Sequence, residues 1–189
     1  MPMPVEIVET EITSILEIFI KPFEDHRGFV AETYNRNTWL EKELNQYFIQ
    51  DTVNISYKGA LRGLHCSIHP HPMGKLVRAL KGSIYDVAVD LRQGSPTYGK
   101  YVGRKLSEDA GNCLWVPVGF AHGYVALEDS VVYYKCTGTH CPPTERTLHY
   151  KDPDVNIKWP LEPTLISEKD ANATLFKDVK TNFVYELDK

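Results

Sequence analysis

Lys75-Leu76-Val77-Arg78-Ala79-Leu80-Lys81-Gly82-Ser83-Ile84-Tyr85-Asp86-Val87-Ala88-Val89-Asp90-Leu91 is the stretch that decides the fold. Two runs rich in branched residues, Lys75–Leu80 and Ser83–Leu91, flank a Lys81-Gly82 turn. Branched and aromatic side chains suit a pleated, half-buried surface, and glycine is a turn residue. The same pattern recurs on both sides. Turn signals stand at Lys58-Gly59, Gln93-Gly94-Ser95-Pro96 and Asp109-Ala110-Gly111-Asn112, and further runs at Leu114–Val116 and Ser130–Cys136. Short strands with evenly spaced turns predict a mainly β antiparallel barrel or jelly roll. Helix is expected only as trimming. Asn37–Tyr47 carries a capping box, Thr38 with Glu41, and an apolar stripe of Trp39, Leu40 and Leu44. Ser167–Thr174 predicts a further turn of helix capped by Ser167.

A chain of 189 residues with 42% hydrophobic and 24% charged residues can bury a substantial core. It has no clear linker, repeat or low-complexity tract, so residues 1–189 are read as one domain. Net charge is -4 with mixed signs, which excludes a basic nucleic-acid stripe and leaves an anionic ligand to a few local Arg or Lys residues. No apolar run reaches the roughly 20 residues that span a bilayer. Cys66, Cys113, Cys136 and Cys141 form no C-x-x-C pair, and the first ten residues lack a secretory apolar region. Free thiols in a cytoplasmic protein are expected.

Two segments each resemble half of a cupin signature: His69-Pro70-His71 with Lys75 and Gly82, and Gly111 with Pro117-Val118-Gly119 and His122. A metal-binding cupin has a glutamate ligand where Lys75 stands. A charged lysine has three donors and no lone pair, so it suits a developing anion instead. A histidine side chain can take a proton near neutral pH, and His65 sits behind Arg62-Gly63-Leu64. Regular alternation would put Arg62 and His65 on opposite faces, so both enter one cavity only if the strand bulges near Gly63. A buried Lys75 would need a carboxylate, and Asp86 is the natural partner. Tyr134 shares its parity with Val132 and Cys136, an inward face, where it fits either a core aromatic or a phenolic proton donor. Three roles fit His122: metal ligand, substrate contact or structural hydrogen-bonder.

Taken in order, the motifs resemble the dTDP-4-dehydrorhamnose 3,5-epimerase family, a branch of the cupins. They include Asp25-His26-Arg27-Gly28 with Glu32, Gln50-Asp51, Leu61 to His65, Lys75 to Arg78, Asp86 to Arg92, Pro117 to Gly123, Tyr134-Lys135-Cys136-Thr137, Asp152-Pro153, Trp159-Pro160 and Ser167-Glu168-Lys169-Asp170. The resemblance implies a homodimeric jelly roll that needs neither metal nor organic cofactor. It implies inversion of C3 and C5 of a 4-keto-6-deoxy sugar carried on a nucleoside diphosphate, in dTDP-rhamnose biosynthesis. By position, His65 is then the base, Asp170 its orienting partner, Lys75 the enolate-facing cation and Tyr134 the opposite-face acid. Arg27 and Arg62 match pyrophosphate-holding residues. Phe29, Glu32 and Gln50 match residues that enclose nucleotide or sugar, partly across the dimer interface, and His122 matches a sugar-pocket residue.

Three positions depart from that family. Cys66-Ser67 follow His65, Thr52 replaces an asparagine, and His140 stands where a tyrosine linked to the C5 inversion is usual. A C3-only epimerase on a related nucleotide 4-keto sugar is therefore the first alternative. A metal-dependent cupin using His69, His71 and His122 is the second, and a binding module without turnover the third.

Overall fold

The computed structural model describes residues 5–40 and 44–185. In chain order the strands are β1 (Val5–Glu9), β2 (Leu16–Ile20), β3 (Phe23–Asp25), β4 (Gly28–Val30), β5 (Gln50–Ser56), β6 (Ala60–Ser67) and β7 (Lys75–Lys81). There follow β8 (Ser83–Asp90), β9 (Tyr101–Ser107), β10 (Asn112–Val116), β11 (Phe120–Ala126), β12 (Ser130–Cys136), β13 (Glu145–Thr147) and β14 (Leu165–Ile166). The expected runs all fall on strands, with Ser130–Cys136 matched end to end.

One sheet runs β1-β2-β10-β7-β12-β5, and the other runs β13-β6-β11-β8-β9 with β14 added parallel to β6. The remaining named pairings are antiparallel, and β3 and β4 form a separate hairpin. The two large sheets face each other as a jelly-roll barrel. Alternation sorts the side chains. Val77, Leu114, Val116 and Val132 of the first sheet meet Ile84, Ala88, Phe120, Tyr124 and Ala126 of the second in one buried cluster. The opposite parity of β8, Val87 and Val89, packs under the C-terminal segment with Leu148, Val155 and Phe183. On the far side of the first sheet, Trp39 and Leu44 cover Ile18, Leu76 and Trp115.

The first helix, α1 (Arg36–Leu40), is shorter than Asn37–Tyr47. Thr38 lies inside it rather than at its start. Asn35 caps it instead, because its side chain accepts the Asn37 N–H at 3.1 Å. Glu41, the other half of the expected box, lies outside the described residues. The second, α2 (Glu168–Ala171), starts where expected, with the Ser167 hydroxyl accepting the Asp170 N–H at 3.1 Å.

The bulge near Gly63 is present. Opposite β11, His65 pairs with His122 and Arg62 with Tyr124, so β6 carries one extra residue between them. Gly63 adopts φ +126, and a Cβ there would lie 2.6 Å from Gly123 Cα and 2.8 Å from the His122 carbonyl oxygen. Both obstacles are backbone and cannot swing aside. Gly63→Ala should therefore destabilise the fold by at least about 2 kcal/mol, read as a lower urea midpoint. An unchanged midpoint would show that the strand tolerates a side chain at the bulge.

Candidate active site

The bulge turns both Arg62 and His65 toward the space between the sheets, where they line a cavity of about 680 Å³. That volume is within the usual range for a small-molecule site. Asn54 and Tyr134 reach it from β5 and β12, Lys75 from β7, His122 from β11, and Asp170 from α2. A second cavity of about 360 Å³ adjoins it. His65, Lys75 and Tyr134 line both, and Gln50, His140 and Glu145 line only the second.

The Ser167 cap holds α2 so that Asp170 Oδ1 sits 2.6 Å from His65 Nε2. Asp170 Oδ2 accepts the Gly63 N–H at 3.4 Å, which ties the dyad to the bulge. Burial alone would raise the Asp170 pKa. The His65 hydrogen bond, with help from Gly63, outweighs it and holds the carboxyl below its ordinary value. An ionised carboxylate only accepts, so neutral His65 donates from Nε2 and keeps its lone pair on Nδ1. The imidazole is thus oriented as a base.

Tyr134 faces His65 from the other sheet. Asn54 Nδ2 donates to its hydroxyl oxygen at 3.2 Å, which leaves the phenolic proton free for a ligand. Burial raises the Tyr134 pKa, so the phenol is protonated at neutral pH. Lys75 Nζ lies 5.8 Å from the centre of the Tyr134 ring. Desolvation lowers the Lys75 pKa, opposed by Cys136, Cys66, Asp86 and Glu145. Its ammonium makes no ion pair or hydrogen bond among the described residues.

The expected Lys75–Asp86 pair is therefore replaced by another. Asp86 Oδ1 is 2.8 Å from His122 Nε2, both side chains being buried. Asp86 and His122 occupy inward positions on adjacent strands as diagonal neighbours, Asp86 opposite Tyr124 and His122 opposite Ala88, so the shorter reach wins. Burial lowers the His122 pKa and keeps the ring neutral despite Asp86. His69 and His71 stay in their loop: His69 packs edge-on against Phe183 and bonds Asn182 through its backbone. No group of three or more His, Cys, Asp or Glu residues suited to a metal comes together among the described residues.

Arg62 sits at the rim, with Nε donating to Ser56 Oγ at 2.9 Å and Nη2 to the Ile55 carbonyl at 3.0 Å. Gln50 bonds Thr52 and accepts the His140 N–H, which places His140 on the second cavity. Arg27 and Phe29 are not brought to this cavity. They stand on the β3–β4 hairpin, Arg27 paired with Asp25 and Phe29 68% exposed. Glu32 is also absent from the lining of both cavities.

Three contributors escaped the sequence reading. Asn54 was legible in hindsight, because Gln50, Thr52 and Asn54 alternate with exposed Val53 and Ile55 along β5. Glu145 and Lys169 gave no such signal. They pair at 2.7 Å, and Glu145 Oε1 stands 3.7 Å from His65 Nδ1. A three-residue strand after two prolines has too little periodicity to announce its faces.

Comparisons with known proteins agree with this geometry. Residues 9–178 match the family model described as dTDP-4-dehydrorhamnose 3,5-epimerase. An enzyme of that name from Shigella flexneri is 41% identical over 174 residues, 91% of this chain and 96% of the relative. The crystal structure of dTDP-6-deoxy-D-glucose-3,5-epimerase from Legionella pneumophila, in complex with dTDP-4-keto-L-rhamnose, superposes with a TM-score of 0.93. It is 39% identical and covers 97% of this chain and 100% of its own. A more distant relative, dTDP-4-dehydrorhamnose 3-epimerase of Streptomyces niveus, is 32% identical over 171 residues, 89% of this chain and 83% of the relative. The fold, the ordered motifs and these matches together establish that the chain belongs to the dTDP-4-dehydrorhamnose 3,5-epimerase family.

Proposed function

We propose that this protein is an isomerase that inverts C3 and C5 of dTDP-4-dehydro-6-deoxy-glucose, giving dTDP-4-dehydro-L-rhamnose for dTDP-rhamnose biosynthesis. One observation carries the reading. The base and the acid come from opposite sheets, so a sugar ring between them meets a proton acceptor on one face and a donor on the other. Epimerisation needs that arrangement, and a site built only to bind does not.

The C4 ketone acidifies its neighbouring C–H bonds. His65 Nδ1 removes the C3 proton, and the electron pair passes into the C3–C4 bond and onto the C4 oxygen. Lys75, which makes no ion pair among the described residues, meets that developing charge. Tyr134 returns a proton from the opposite face. The same cycle at C5 completes the second inversion. His122, neutral and fixed by Asp86, offers a hydrogen bond to the sugar, and the Arg62 fork suits the pyrophosphate. Each of these steps uses protein groups alone, as a cofactor-independent reaction requires.

The working unit in this reading is a homodimer of single-domain chains. Val53 and Ile55 on β5 and Tyr57 just beyond it are 58%, 66% and 66% exposed, an apolar row that a second copy would cover. Arg27, Phe29 and Glu32 stand outside their own cavity and would serve the partner's. A cytoplasmic setting accords with four free cysteines. Among the described residues no helix is long and apolar enough to cross a membrane.

A C3-only reaction is the second reading, favoured by His140 in place of the family's tyrosine on the second cavity. NMR of the 4-keto substrate in D₂O separates the two. Deuterium at C3 and C5 is expected. Label at C3 alone selects the second reading, and no label with folded protein sinks both.

Asp170→Asn should lower turnover by about 10²–10⁴, because an amide no longer fixes the imidazole tautomer. Its stability profile has a defined sign. The native Asp170 pKa lies below 3.8, so the stability it adds is present above about pH 4 and lost as pH falls through the native value. The Asn variant should therefore show a flatter acid limb in urea titrations. An acid limb as steep as wild type would count against the dyad. Lys75→Met should lose about 10²–10³ in turnover yet raise the thermal midpoint by about 2–4 °C, the equivalent of about 1 kcal/mol at this size. A lowered midpoint would mean that Lys75 stabilises the fold rather than waiting for an anion.

A further inference from the structure

We infer that Glu145 is the proton exit for His65, a positioning and proton-accepting residue that clears the base between successive inversions. This rests on the epimerase reading above.

Each inversion leaves the site in the wrong protonation state. One proton has moved onto His65 Nδ1, and one has left Tyr134. The next abstraction, at the other carbon or on the next substrate, requires Nδ1 to be empty. Nε2 cannot provide the way out, since Asp170 holds it at 2.6 Å and is itself buried. Nδ1 has one carboxylate within ion-pair distance on its other side, Glu145 at 3.7 Å. An approach of less than about 1 Å closes that gap to a hydrogen bond.

Glu145 is placed to pass the proton on. It lines the second cavity rather than the main one, away from the space between His65 and the rim Arg62. Its side chain is 17% exposed, more than the 6% of Asp170. Lys169 holds its other oxygen at 2.7 Å, so the carboxylate is oriented with Oε1 toward the imidazole. Lys169 from α2, His65 from β6 and His140 from the loop before β13 face it and favour its charged form, and Lys75 from β7 and the Cys66 thiol from β6 also stand within its field. Burial would favour a protonated Glu145, but these neighbours prevail and keep it ionised. It can therefore accept a proton only briefly.

The step balances without an added reagent. The His65 Nδ1–H bond breaks as a Glu145 Oε1–H bond forms, and that proton then leaves to water. Water in turn restores the Tyr134 phenol. No electrons change hands.

Glu145→Gln keeps the shape and an oxygen for Lys169 but cannot take a proton. In rapid-mixing experiments in D₂O, the variant should form about one equivalent of sugar labelled at a single carbon, in a first inversion near the wild-type rate. Steady-state turnover should then fall by about 10²-fold. Acetate added to the buffer should restore it in a saturable, concentration-dependent way, while wild type stays insensitive to acetate. If the Gln variant fails to fold, Glu145→Ala in acetate buffer gives the same readout with more room for the acid. Steady turnover equal to wild type, or a loss of both phases that acetate does not repair, overturns the proposal. Absence of any exchange in the wild-type protein instead overturns the epimerase reading beneath it.

Discussion

Gly63 is the constraint on which the site depends. A strand of regular pleat can present Arg62 or His65 to the barrel interior, not both. The extra residue in β6 reverses the parity at that point, and the chain accepts it only because position 63 has no Cβ to meet the backbone at Gly123. The same residue donates its N–H to Asp170. One backbone irregularity thus aims the His65 imidazole, clears the rim arginine into the same space and helps fix the carboxylate that orients the ring. Irregular backbone of this kind is common beside active sites because it re-aims a side chain at small cost.

Around that point the electrostatics are divided by sheet. The second sheet contributes the carboxylate-bound histidines, His65 with Asp170 from α2 and His122 with Asp86. The first contributes Lys75 and Tyr134, neither of which has an acidic partner among the described residues. A ligand that becomes anionic is therefore drawn to one wall and loses its protons to the other. Desolvation serves both sides. It keeps His122 neutral, Tyr134 protonated and the Lys75 charge costly until an anion arrives.

Much of this was legible in the sequence, for stated physical reasons. Period-two runs and glycine turns were enough for the barrel, and parity alone turned Tyr134 inward. The conflict between Arg62 and His65 predicted the bulge before any coordinates. Other features depended on distances that no local pattern encodes. Lys75 and Asp86 were matched by charge, but Asp86 had a nearer imidazole on the next strand. The helix from Asn37 was given a Thr38 cap, although Asn35 reaches the free N–H first. Glu145 comes to His65 through a short β13–β6 pairing between segments far apart in sequence. Arg27, Phe29 and Glu32 lie outside the lining of both cavities, a tertiary placement that no local pattern encodes.

The placement of the proposed acid and base, Tyr134 and His65, on facing sheets has a consequence for how this enzyme can evolve. Packed sheets stand about 10 Å apart, a spacing set by the side chains between them. Val77, Leu114, Ile84 and Ala88 are thus the jaws of a caliper whose opening must match a sugar ring. A methylene added or removed there, far from any reacting atom, changes the gap by a fraction of an ångström, and errors of about 1 Å in such geometry can cost about 10²-fold in rate. Selection on sugar shape therefore acts on the hydrophobic interior as well as on the polar wall, and drift in the core is constrained by kinetics before it is constrained by folding.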